Sequence, residues 1–361
     1  MNYKKILMGV LMLLIALIIS GCGSNEVSND TNGGETPSNK DESKDTITLK
    51  FASASPANAP YTVGAMEPFM ERVTELTNNQ VQFEFYPAEQ LGKAADLLDL
   101  VKNGATDIAY YGSPFYPSKM PIGSSMVGIP YLSKTSHQGS MALHELVKQS
   151  PMLEVDFLNN GVRPVITSVT RPYDFFTGGK EIRTPDDLKG KKVRSSGGIS
   201  NFTFELLGAT PVAVNTPDMY EAFDQGIIEV LHMFPSTLNS YGVDELIGYG
   251  TQGANFGASA VGFVINEEVY QGLPKNVQEA IIQAGDEIVD NYSAYGDEDN
   301  SNIIEEWKKA DMNLVELTEA EQEAWRNAAA KVEEAWLDKQ DNRELIQTLE
   351  KYKELLKKYE K

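Results

Sequence analysis

Apolar and polar positions alternate with a period of two over Thr46–Ser53 (TITLKFAS) and again over Val81–Tyr86 (VQFEFY). That alternation predicts two strands, each with one covered face. Between them Met66, Phe69, Met70, Val73 and Leu76 recur at spacings of three and four, which predicts one face of a helix. Leu97, Leu98 and Val101 predict a second helix, stopped by Asn103-Gly104 in the manner of a glycine helix end. Asp107–Tyr111 is a short apolar strand that runs into Gly112-Ser113-Pro114. The order β-α-β-α-β argues for an α/β sheet with helical crossovers. Ligands in such sheets sit beyond the carboxyl ends of the strands. Those ends carry Ser53–Asn58 and Tyr110–Phe115, so Asn58 and Tyr111 become candidate binding residues.

The same pattern resumes further on. Val162–Thr170 predicts a strand leading into Arg171-Pro172-Tyr173. Thr184-Pro185 and Thr216-Pro217 each set a capping threonine before a proline at the first helical position. The second pair opens a helix Pro217–Gln225, which Gly226 ends, and Ile227–Met233 follows as a strand. A second α/β unit therefore occupies roughly 170–255. Phe256–Ile265 fits a return to the first sheet. Val277, Ala280, Ile281, Ala284 and Ile288 give Asn276–Trp307 one regular helical face, long enough to run along both units. Thr318–Glu321 is a capping box opening a helix with Trp325, Ala329, Val332 and Trp336. The charged tail from Asp341 predicts a last helix, packed by Leu345, Leu349, Tyr352 and Leu356.

The N-terminus has a different character. Lys4 and Lys5 precede an apolar run, Ile6–Ile19, of 14 residues. A spanning helix needs about 20, so the run reads as an export signal. Ile19-Ser20-Gly21-Cys22 resembles a bacterial lipobox, and Cys22 is the one cysteine of the 361-residue chain. Acylation there makes Cys22 a lipid anchor on the outer face of the cytoplasmic membrane. Gly23–Asp45 is polar, with no aromatic residue, and reads as a disordered tether spanning roughly 25 Å on average.

Charge removes several classes of function. With 31 basic against 52 acidic residues the net charge is −21, which opposes nucleic-acid binding. An anionic ligand would have to be held by local arginines. His144-Glu145 begins a zinc pattern, but position 148 is lysine and the chain has three histidines in all, so no metal site is expected. No G-x-S-x-G element is present, no catalytic constellation can be assembled, and no cofactor is implied.

Lys191–Gly226 holds the principal candidate. Arg194 ends a basic run and precedes Ser195-Ser196-Gly197-Gly198, a turn rich in exposable backbone N–H groups. A guanidinium there suits a carboxylate through two parallel hydrogen bonds. By itself a Lys-Lys-Val-Arg run also reads as a solvated basic loop.

Five segments in order resemble the solute-binding proteins of TRAP (tripartite ATP-independent periplasmic) transporters, in their dicarboxylate-binding branch. They are Gln82–Gly92 (QFEFYPAEQLG), Leu100–Ala109 (LVKNGATDIA), Ile129-Pro130-Tyr131, Arg183–Arg194 (RTPDDLKGKKVR) and Gly208–Gly226 (GATPVAVNTPDMYEAFDQG). The resemblance covers roughly Thr46–Leu337. It implies a periplasmic-binding-protein-like α/β fold of two domains, with a ligand cleft between them and a long helix spanning both. The implied domains are 46–169 plus about 256–298, and 170–255 plus about 299–340, with 341–361 as a C-terminal helix. It further implies a non-enzymatic protein that closes around a small organic acid and delivers it to a membrane permease. Arg194 matches the arginine that pairs the substrate carboxylate, Arg171 a second arginine upstream, and Tyr220 the family's site tyrosine; Ser196 and Gly197 line the cleft. The chain departs from the family at Lys93-Ala94-Ala95, Glu229-Val230 and His232–Phe234. An apolar Met233-Phe234, with Tyr111, Phe115 and Tyr173, points to a ligand less polar than a C4-dicarboxylate. A sensor ectodomain, or a surface-anchored α/β enzyme, is the alternative reading.

Overall fold

The computed structural model describes residues 46–360, so Cys22 and the tether lie outside the described residues. Among the described residues eleven strands run in chain order: β1 (Ile47–Ala52), β2 (Val81–Tyr86), β3 (Ile108–Gly112), β4 (Val162–Val169), β5 (Asp174–Thr177), β6 (Lys192–Ser195), β7 (Thr210–Ala213), β8 (Val230–Met233), β9 (Tyr249–Gln252), β10 (Ala260–Asn266) and β11 (Asn313–Glu316). They form two sheets, in the orders β2-β1-β3-β10-β4 and β11-β9-β5-β8-β6-β7. In the first sheet β1 is parallel to β2 and β3, and β10 lies antiparallel between β3 and β4. In the second, β8, β6 and β7 are parallel to one another and β5 is antiparallel to β8 and β9. Every residue of β10 is buried. Its continuous apolar run, without alternation, reflects layers on both faces of the sheet.

The predicted α/β class is the observed one. The segment of the first sheet expected to return from beyond position 255 does so, as β10. Two crossovers join the sheets: Thr170–Tyr173 leads from β4 to β5, and Gly253–Ser259 leads from β9 to β10. They run side by side and bond to each other. Thr170 N–H donates to the Ser259 carbonyl at 2.9 Å, Tyr173 N–H to Gly257 at 2.8 Å, and Phe256 N–H to Tyr173 at 2.7 Å. Backbone bonds thus pair the two crossovers into one ribbon.

A 35-residue helix, Lys275–Lys309, is the third connection. Its first half packs Val277, Ile281, Ala284 and Ile288 against Val165, Phe263 and the rest of the first core. Its end sets Trp307 in the core of the second sheet, edge-on to Phe176 at 5.8 Å. Asp297 on this helix accepts the Ser136 and His137 N–H groups at 3.1 Å each, and so caps the helix Ser136–Leu146. The Thr318–Glu321 capping box is present and opens Glu319–Asp338, whose Trp325 stacks on Phe175 at 4.8 Å. Arg343–Lys358 forms the last helix and buries Leu345, Leu349, Tyr352 and Leu356. None of the helices among the described residues is long and apolar enough to cross a membrane.

One buried acid sets a pH dependence. The Asp156 carboxylate accepts the N–H groups of Ile122 (3.1 Å) and Gly123 (2.7 Å), fastening the short helix Pro121–Met126. Burial outweighs those two bonds and pushes its pKa from 3.8 up to about 7. A folded-state value above the unfolded one means that the folded protein holds the proton more tightly. The resulting stability is complete below about pH 4 and is lost as pH rises through 7. Thermal unfolding from pH 4.5 to 8 checks this. The wild type should lose stability relative to Asp156→Asn across that range, by on the order of a few kcal/mol. Parallel curves would refute the assignment.

Candidate functional site

The strand ends aim at one place. The carboxyl ends of β1, β3, β4, β6 and β8 and the amino ends of β5 and β10 open on a cavity between the sheets. Its free volume is ≈ 80 Å3, measured as space for the centres of water-sized molecules. At roughly 10–15 Å3 per water on that measure, the cavity suits one small molecule. From the first sheet's side it is walled by Ser55, Ala59 and Tyr61 after β1, by Tyr110, Gly112, Pro114 and Phe115 at β3, and by Ser259 and Val261 at β10. Thr170 and Tyr173 come from a crossover and Tyr292 from the long helix. The second sheet supplies Arg194, Ser196, Thr216, Pro217, Met233 and Phe234, with Thr237, Ser240 and Tyr241 following β8.

Arg194 is 1% exposed and held from three sides. Its Nε donates to the Val214 carbonyl at 3.0 Å, and Nη1 donates to Ser196 Oγ at 3.1 Å and to the His232 carbonyl at 3.3 Å. Among the described residues no carboxylate pairs with it. Burial therefore pulls its pKa below the ordinary arginine value, with Tyr173 and Tyr110 acting the other way. Keeping a charge out of water without a counter-charge is costly, and an anion entering the cavity would relieve that cost. His232 does not add a second charge. Burial, together with the nearby Arg194 cation, pushes its pKa down to about 3, and Nε2 donates to the Phe256 carbonyl at 2.6 Å.

The opposite wall is aromatic and fixed. Tyr61 meets Tyr292 edge-on at 4.9 Å and Tyr110 at 5.5 Å, and Ser168 Oγ donates to the Tyr61 hydroxyl at 3.3 Å. Tyr173 and Phe234 lie 5.7 Å apart on the other side. Tyr241, from the second sheet's side, reaches Ser55 on the first, and burial raises its pKa.

The structure brings Arg194, Ser196, Met233 and Phe234 together in this wall, with Phe115 and Tyr173. Gly197 backs it: a Cβ there would lie 2.6 Å from the Pro114 carbonyl oxygen. The other candidates lie elsewhere. Arg171 is 4% exposed but outside the wall. It stands behind the wall: its Nη1 donates to Ser236 Oγ at 3.2 Å, its guanidinium sits 5.3 Å from the Phe234 ring centre and acts on the Tyr292 hydroxyl, and Nε and Nη2 make no hydrogen bond of good geometry among the described residues. The long helix passes so close that a Cβ at Gly296 would overlap the guanidinium. Tyr111 faces the other side of β3, sharing a 2.8 Å hydrogen bond with Thr167, because adjacent strand residues point oppositely and Tyr110 takes the cavity face. Tyr220 is 37% exposed and donates to Glu245 at 2.6 Å. Asn58 is exposed, while its neighbours Ser55 and Ala59 line the cavity. Sequence reasoning missed Tyr61, Tyr110, Tyr241, Ser259 and Tyr292. None of the five carries a local signal; in β3 the apolar run gives Tyr110 and Tyr111 the same standing. Among the described residues no group of three or more His, Cys, Asp or Glu could hold a metal ion.

Residues 51–340 match the family model for bacterial extracellular solute-binding protein, family 7. The chain belongs to this family. Among the curated relatives of this solute-binding protein is the C4-dicarboxylate-binding periplasmic protein of Rhodobacter capsulatus, 25% identical over 300 residues, covering 79% of this chain and 85% of that one. Among solved structures, a TRAP solute-binding protein from Rhodoferax ferrireducens T118, in complex with copurified benzoate, superposes with a TM-score of 0.80 at 23% identity. That match covers 87% of this chain and 98% of the other. A marine-metagenome TRAP solute-binding protein specific for aromatic acid ligands, with 3-hydroxybenzoate, gives a TM-score of 0.81 at 24% identity, covering 88% and 100%. These likenesses establish the two-lobed TRAP-type fold. Like its relatives, this solute-binding protein is a receptor, not an enzyme.

Proposed function

We propose that this protein is an extracytoplasmic lipoprotein, anchored through Cys22, that captures a small organic acid anion between its two lobes and delivers it to a TRAP-type permease. One observation carries the reading: Arg194 is buried in the wall of an interlobe cavity and has no acidic partner among the described residues. The wall takes residues from both sheets, so a ligand touches both lobes at once only when they are together. Such a ligand favours the closed state by its differential affinity. The acylated cysteine holds the receptor near its permease, and the tether leaves room for the two to dock. Native mass spectrometry of the purified protein tests the capture step. The expected result is a bound small molecule that on release is a carboxylic acid. A neutral sugar or a cation in its place would refute the reading.

A further inference from the structure

The cavity offers an anion one cation and much ring surface. Among the described residues Arg194 is the single Lys, Arg or His in its wall. Arg171 lies one layer back, behind Phe234 and Tyr292 with Nη1 on Ser236, and His232 is held neutral by burial, so Arg194 is the cation that a ligand in the cavity touches directly. Tyr61, Tyr110, Phe115, Tyr173, Phe234, Tyr241 and Tyr292 supply seven rings. The remaining polar groups in the wall are uncharged serine, threonine and tyrosine hydroxyls.

A second carboxylate inside this wall would lose its water and touch no second cation, which is costly in a desolvated site. A flat ring would meet ring edges and faces already fixed by packing, and such pairs add attraction beyond area burial. From this geometry we infer that the ligand class is an aryl monocarboxylate: one carboxylate on Arg194 and an aromatic body among the seven rings, with neutral hydroxyl substituents tolerated. C4-dicarboxylates are discriminated against. The inference rests on the organic-acid reading and narrows it.

Calorimetric titration and thermal shift of the full folded chain, freed of copurified ligand, test it with benzoate, phenylacetate, cyclohexanecarboxylate, succinate and benzamide. Benzoate or phenylacetate should bind at least 100-fold more tightly than succinate, and more tightly than cyclohexanecarboxylate. In Phe115→Ala that preference over cyclohexanecarboxylate should shrink several-fold, with the fold retained, because Phe115 is only half-buried and packs on Gly112. Succinate binding as tightly as either aryl acid overturns the aryl assignment and leaves the organic-acid reading standing. Absence of binding by both aryl acids also overturns the assignment. Benzamide binding as tightly as benzoate overturns the organic-acid reading itself.

Discussion

Replacing Arg194 with alanine weakens binding of the cognate acid by roughly two to four orders of magnitude, on two charge-assisted hydrogen bonds at about 1.5–3 kcal/mol each. The guanidinium is pre-oriented by Val214, Ser196 and His232, so the ligand does not bear the cost of ordering a long side chain. The ligand-free protein should change much less. Removing a buried, unpaired cation relieves a desolvation cost, but it strands the carbonyls of Val214 and His232, and the two effects oppose each other. Arg194→Lys should fall between. It keeps the charge but lacks the planar fork, and a single ammonium cannot replace bonds made by Nε and Nη1 in two directions. Isothermal calorimetry on the acid released from the wild type, paired with ligand-free melting curves, separates binding from folding. Affinity within threefold of wild type in Arg194→Ala would remove Arg194 from the site.

The place of Arg194 in the cavity wall was legible because the family pattern and the strand-end position agree on it, although the run Lys-Lys-Val-Arg alone reads as solvent-exposed. The strands with clear alternation, β1 and β2, emerged within a residue or so of their predicted limits. The capping boxes at Thr184 and Thr318 are both formed. These are local signals, written within four residues of where they act. The cavity wall is not local. Tyr241 and Tyr292 reach it from a helix end and from the middle of the longest helix, and at both places the surrounding pattern records only core packing. Tyr110 and Tyr111 show the same limit at finer scale. In a strand covered on both faces, adjacent tyrosines give no sign of which faces the ligand; the register with β10 decides it. Arg171 shows how far a sequence match reaches. The resemblance implies a site arginine at this position, and the packing of Phe234, Ser236 and Gly296 sets it one layer behind the wall.

Gly198→Ala should hold the lobes apart and weaken ligand binding by roughly 30- to 150-fold, with Arg194 untouched, on an overlap of about 2–3 kcal/mol that only the closed state bears. Gly198 follows β6 on the second lobe and faces the helix Pro121–Met126 on the first. A Cβ there would overlap the Ser124 carbonyl oxygen. That helix cannot easily withdraw, since Asp156 accepts two of its N–H groups. Gly198 also has φ 52° and ψ −132°, a region that L-residues avoid, so alanine carries backbone strain as well. Strain of that kind is local to the turn and is present whether the lobes are together or apart. It lowers melting temperature but not affinity. Gly190→Ala supplies the control: φ is +72° there too, yet nothing lies within 4 Å of the added Cβ. Gly190→Ala should therefore cost about 1 kcal/mol or somewhat more in stability and bind normally. Small-angle scattering should show a larger ligand-free radius of gyration for Gly198→Ala than for Gly190→Ala. Normal affinity in Gly198→Ala would show that the turn after Arg194 does not have to meet Ser124 for the ligand to be held.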